Sequence, residues 1–179
     1  MKNLRKIALL LLALLLLAST ALAEKPTQDR AGNPITLPDN ISKIVSLAPA
    51  TTQVLDSLGV KDKLVAVDTQ SPLYVEGVKD LPQFDMMAPD MEQIASLEPD
   101  IVFTAGMSYL EGNPFAPLTD MGIAVVDIPS STSIEAEGKD VVFTAACLGL
   151  EEEGQKLADD MMAKIDALAA KASILAIMS

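Results

Sequence analysis

The chain has 179 residues, half of them hydrophobic, and a formal net charge of −12 from 25 acidic against 13 basic residues. That length suits one domain with its own core, and the acidic surface argues against nucleic acid or anionic lipid as a partner. With no histidine and a single cysteine, a His-ligated metal site, a Ser-His-Asp or Cys-His catalytic unit and an internal disulfide are all excluded.

In chain order, the first element is a signal peptide. Lys2, Arg5 and Lys6 form a basic start, Ile7 to Ala18 is a purely apolar run, and Ala21-Leu22-Ala23 is a small-x-small cleavage site before Glu24. The run is too short for the roughly 20 residues that span a bilayer. The expected product is periplasmic or secreted and begins at Glu24; losing three basic residues takes its net charge from −12 to −15. A lipid anchor would need a cysteine at the cut, and the only one is Cys147, so no lipid anchor is expected.

Residues 24 to 40 are polar, and Asp29 to Pro38 reads as a small hairpin or extended arm turning at Gly32-Asn33. Short continuous apolar runs follow at Ile44–Leu47, Leu64–Val67, Ile101–Phe103 and Ala124–Val126. Continuous rather than alternating patterning predicts strands covered on both faces. Between them, Thr51 to Leu58 is predicted helical and ends at Gly59. Asp90 to Leu97 is predicted helical with Asp90 capping and Gln93 reaching back, and Phe115 to Met121 is a third short helix. The alternation implies an α/β fold: a three-layer lobe with a short parallel, Rossmann-like sheet.

Two longer helices are predicted next. The first spans Ser133 to Leu148, with Thr132 and Glu135 as a capping pair, Gly138 as a weak point and Cys147 as a buried small hydrophobe. The second spans Glu151 to about Lys171, with three acids at its amino end and an apolar stripe of Leu157, Met161, Ile165 and Leu168. The tail Ala172–Ser179 reads as a strand beginning. The implied organisation is 1–23 signal peptide, 24–149 lobe, 150–172 helix and 173–179 the start of a further unit.

In open parallel sheets, ligands bind beyond the carboxyl ends of the strands. Those ends are Ala48–Thr52, Asp68–Ser71, Gly106–Tyr109 and Asp127–Ser130, and the long connection Asp68–Pro89 is the kind that carries function. The candidate ligand-binding residues are therefore Pro49, Ala50, Thr51, Asp68, Thr69, Tyr74, Met86, Met107 and Tyr109. Tyrosine offers an apolar face for a macrocycle and a phenol that can hydrogen-bond or ligate ferric iron; Tyr74 and Tyr109 could equally be loop anchors. Met86-Met87 has the thioethers that suit Cu(I), but two adjacent methionines without a third ligand read better as packing or apolar ligand contact. No catalytic residue and no resident metal or cofactor is assigned.

The tract DRAGNPITLPDNISKIVSL, the loop Ala48-Pro49-Ala50-Thr51, the segment LEPDIVFTAG from Leu97 to Gly106 and the helix from Glu151 together resemble the metal-chelate solute-binding proteins of ABC importers. The resemblance covers roughly Asp29 to Lys171. It implies two α/β lobes bridged by a rigid helix, with a small-molecule chelate (a ferric siderophore, haem or cobalamin) held between them, and recognition rather than chemistry. It also implies delivery to an ABC permease dimer in the inner membrane. Glu92, in DMEQI, matches an acid this family uses to dock on permease arginines; by local physics it is equally a favourable first-turn glutamate. Gln53, in TTQVL, stands where relatives often carry glutamate and is not counted as a docking residue. On this resemblance the chain holds the N-terminal lobe and the bridge, with the second lobe absent. The rival readings are a secreted interaction module without ligand and an enzyme on a nucleotide-binding sheet. Against the latter, APATT after Leu47 has neither Gly-x-Gly-x-x-Gly nor a phosphate-loop lysine.

Overall fold

The computed structural model describes residues 25–106 and 112–178. The signal-peptide segment, Met107 and Tyr109 lie outside the described residues. Five parallel strands form one sheet in the order β3-β2-β1-β4-β5. They are β1 (Ile44–Ser46), β2 (Leu64–Asp68), β3 (Gln83–Phe84), β4 (Ile101–Thr104) and β5 (Ala124–Asp127). Every residue of β1, β4 and β5 is buried, as continuous apolar runs require. β2, β4 and β5 each run on into a buried polar residue, Asp68, Thr104 and Asp127. The edge strand β3 was not predicted. It has no apolar run of its own and pairs only through Val67–Gln83 and Asp68–Phe84.

The helices are α1 (Pro49–Ser57), α2 (Met91–Ser96), α3 (Ala116–Asp120), α4 (Ile134–Cys147) and α5 (Glu151–Met178). α1 begins earlier than predicted because Pro49 has the φ angle of a first helical residue and needs no N–H partner there. α2 is capped as predicted: Asp90 Oδ1 accepts the Gln93 N–H at 3.0 Å, and Gln93 Nε2 donates to Asp90 Oδ2 at 3.0 Å. The cap of α4 is Ser133, not the pair Thr132 and Glu135. Ser133 is extended, and its Oγ accepts the Ala136 N–H at 3.1 Å, which leaves Glu135 within the first turn. α5 continues through Met178 instead of giving way to a strand. Residues 163–178 contain no Gly or Pro and are rich in Ala, Leu and Lys, so nothing local ends the helix.

Two apolar clusters sandwich the sheet. On one face Ile44, Val67, Ile101, Phe103 and Val126 meet Leu55 of α1 and Cys147 of α4. On the other Val45, Ala66, Val102 and Val125 meet Ile94 of α2 and Leu118 of α3. α5 packs outside α4, and Gly154 sets their approach: a Cβ there would stand 2.3 Å from Ala145 Cβ. The predicted stripe on α5 is half-buried at Leu157, Met161 and Ile165, while Leu168 is 64% exposed. The N-terminal arm is a hairpin with an antiparallel bridge between Gln28 and Pro34. Asp29 Oδ1 accepts the N–H groups of Ala31 and Asn33 inside it. The Arg30 N–H donates to the Asp127 carbonyl at 3.1 Å, which fastens the hairpin to the end of β5.

Candidate functional site

The carboxyl ends of β1, β2, β4 and β5 open on one edge, and a buried hydroxyl network shapes it. Thr52 Oγ1 lies 2.8 Å from Ser46 Oγ and 2.8 Å from Ser71 Oγ. The Ser71 hydroxyl donates to Asp68 Oδ2, while Asp68 Oδ1 accepts the N–H groups of Gln70 at 2.7 Å and Ser71 at 3.0 Å. This network joins the end of β1, the start of α1 and the end of β2. Asp68, 0% exposed, holds the loop with both its oxygens bonded within the chain. A buried carboxylate needs such partners.

The other predicted residues divide between two stretches of the edge. Pro49 is half-buried, Ala50 exposed and Thr51 buried. Ala50 and Thr51 line a cavity of about 70 Å³ with Ala105, Ile128, Pro129 and Ser131. Thr69 and Tyr74 are exposed and Met86 half-buried, further along and outside that cavity. Tyr74 is 63% exposed. The Thr69 N–H donates to the Phe84 carbonyl at 3.1 Å, tying the end of β2 to β3. Glu92 is exposed in the first turn of α2, as a docking carboxylate must be.

Two features escaped sequence reasoning. One is an acidic knot under the end of β5. Arg30 Nε pairs with Asp140 Oδ1, and the Ser131 hydroxyl donates to Asp140 Oδ2. Beside it, burial first and the Asp29 carboxylate second push the Asp127 pKa up to about 6, against a hydrogen bond from the Gly106 backbone. Asp127 Oδ1 has no partner among the described residues. The other is a groove of about 420 Å³ between α1, α4 and α5, floored by Val54, Val141, Leu157, Met161 and Ile165. It is larger than the edge cavity and is also lined by Gln53, Ser57, Glu137, Asp160 and Lys164, but it lies between helix flanks, whereas ligands in open parallel sheets bind beyond the strand ends. Among the described residues, no group of three or more His, Cys, Asp or Glu stands close enough to hold a metal ion.

A family model described as periplasmic binding protein matches residues 44–176. A vitamin B12-binding protein of Vibrio campbellii is 33% identical over 132 residues, covering 72% of this chain and 46% of its own. An uncharacterised ABC transporter substrate-binding lipoprotein of Bacillus subtilis is 28% identical over 145 residues, covering 80% of this chain and 46% of its own. Among solved structures, the heme binding protein HmuT aligns with TM-score 0.71 and 25% identity over 88% of this chain and 51% of its own. The periplasmic heme-binding protein RhuT of Roseiflexus sp. RS-1 aligns with TM-score 0.64 and 27% identity over 72% of this chain and 49% of its own. The chain thus spans about half the length of the curated relatives it matches.

Proposed function

Because this chain belongs to the periplasmic binding protein family, we propose that it forms one wall of the cargo site in the extracytoplasmic substrate-binding component of an ABC importer. The cargo is a metal chelate of the cobalamin, haem or ferric-siderophore kind. The observation that carries this reading is the single edge where the loops after β1, β2, β4 and β5 converge with exposed Ala50, Thr69, Tyr74, Pro129 and Ser130. A relative named for vitamin B12 and neighbours named for haem support the class of cargo. The role we read is binding, not catalysis: the hydroxyls of Ser46, Thr52 and Ser71 bond to one another and to Asp68, and all four residues are buried away from any substrate. The family, the relatives' names and the signal-like N-terminus support a site of action outside the cytoplasm, with an inner-membrane ABC permease dimer as partner and Glu92 as the docking acid.

Calorimetric titration of the chain with cyanocobalamin, haem, ferrichrome, ATP and NAD tests this. Chelate binding without nucleotide binding is the expected result. One wall supplies about half of the enclosure that drives affinity in concave sites, so dissociation constants should lie well above micromolar. Nucleotide binding without chelate binding would favour an enzyme on the same sheet.

A further inference from the structure

The charge map of the edge bears on which chelate it admits. From Asp80 to Gly138 the chain has no lysine, arginine or histidine, and the stretches 44–60 and 64–78 have none either. Those stretches hold the described strand-end residues of the edge. The cations within reach of the edge stand beside acids. Arg30 lies next to Pro129 and Ser130 with its Nε paired to Asp140, and Lys164 lies beyond Ala50 and Gln53 in a groove it shares with Glu137 and Asp160. Lys43 and Lys63 stand just before β1 and β2, at the opposite edge, where Lys43 meets Glu98 and the Lys63 ammonium donates to the Ile41 carbonyl. Lys79 precedes β3 and belongs to that opposite edge too. Lys139 lines a groove between α4 and α5.

Acids, in contrast, are present on the edge. Asp85, Asp90, Glu92 and Glu135 are exposed at the end of β3 and the starts of α2 and α4. Both α1 and α3 start with neither a capping side chain nor an acid in the first turn, and of the two α1 opens beside Ala50 and Thr51 at the edge cavity. Its amide donors suit a neutral carbonyl acceptor. They add only a partial positive charge, too little to offset an anion with several charges.

We propose that this wall selects cargo by charge. It narrows the cargo to an uncharged or cationic chelate whose periphery is alkyl groups with amide or hydroxamate carbonyls, and it disfavours chelates that carry ionised carboxylates or catecholates, haem with its two propionates among them. The inference rests on reading the chain as a chelate-binding wall. An anion brought to this edge meets like charges, and the cations within reach, Arg30 and Lys164, already stand beside Asp140 and Asp160. Each unit charge pair at 4 Å costs about 1 kcal/mol in water and more once water leaves, and an unpaired anion adds its own desolvation.

Equilibrium dialysis of the purified chain separates the possibilities, with ferrichrome and cyanocobalamin as uncharged probes and ferric enterobactin as a triply anionic one. At low salt the uncharged probes should bind at least about tenfold more tightly than the anion, equivalent to about 1.4 kcal/mol. The gap should narrow as salt screens the edge. Met87→Lys puts a cation beside Asp85 at an exposed position and should raise enterobactin affinity several-fold without changing that for ferrichrome. Equal or tighter binding of the anion at low salt, or a gap indifferent to salt and to Met87→Lys, overturns charge selection and leaves the chelate-binding reading standing. Failure of every chelate to bind overturns both.

Discussion

Asp127 is 4% exposed, its Oδ1 has no partner among the described residues, and burial with the adjacent Asp29 raises its pKa to about 6. A carboxyl whose folded pKa exceeds the unfolded value of about 3.9 binds its proton preferentially in the folded state. The resulting stability is fully present below about pH 4 and is lost as pH rises through about 6. Asp127→Asn should therefore stabilise the lobe at pH 8 by about 1–2 kcal/mol and flatten the pH dependence between 4 and 7, read from urea midpoints. Burial likewise pushes the Cys147 thiol up to about 12. Iodoacetamide at pH 8 should leave Cys147 unmodified in the folded protein and alkylate it once urea unfolds the chain. Glu92, exposed in the first turn of α2, is argued as a contact for a permease arginine. Glu92→Ala and Glu92→Gln should both weaken permease association, by up to about 1–3 kcal/mol if the pair is desolvated, and leave chelate affinity unchanged. Unchanged association in both variants would leave it as a helix-start residue. Where a strand ends was legible for Asp68, but not the direction its side chain takes. Its burial depends on Ser71 and on Thr52, which reaches the network from another loop.

At the scale of elements, the contact between α4 and α5 turns on one glycine. Gly154→Ala would place its Cβ 2.3 Å from Ala145 Cβ and 3.3 Å from Val142 Cα, wedging the helices apart at a cost of about 1–3 kcal/mol. Gly154→Ala with Ala145→Gly should recover most of that loss in thermal melts. Gly138→Ala is the contrast. Its Cβ would meet only Met161 Cε, at 3.9 Å, so helix propensity should win and stabilise by about 0.5–1 kcal/mol. Four strands and all five helices announced themselves as apolar runs and periodic faces. Gly154 looked like any residue of an acidic first turn, because only the neighbouring helix makes a side chain there impossible. β3 was illegible for a related reason: Gln83-Phe84 is a strand only because β2 offers it an edge. The stop of α5 was misjudged because the apolar composition of 172–178 serves helix and strand alike, and the preceding helix decided between them.

For the whole molecule, the groove between α1, α4 and α5 is an apolar surface of the kind that promotes association. The chain should bind a hydrophobic dye and self-associate at high concentration. Met161→Lys should reduce both without lowering the melting temperature by more than a few degrees. Light scattering of a strictly monomeric, dye-silent protein would show the groove to be self-sufficient. The strand order β3-β2-β1-β4-β5 has a consequence in time as well as in space. β1 is the first strand the ribosome makes, yet it lies at the centre and pairs with β4. Parallel neighbours cannot zip from a tight turn; each waits for a crossover. A nascent chain can pair β1 with β2 early, but one flank of β1 stays bare until Ile101–Thr104 arrives, and bare strand flanks recruit other chains. Chains halted near Leu97 should therefore aggregate, whereas chains halted after Leu150 have every described strand in hand and should stay soluble, so the middle of the sheet stays exposed long after its first strand is made.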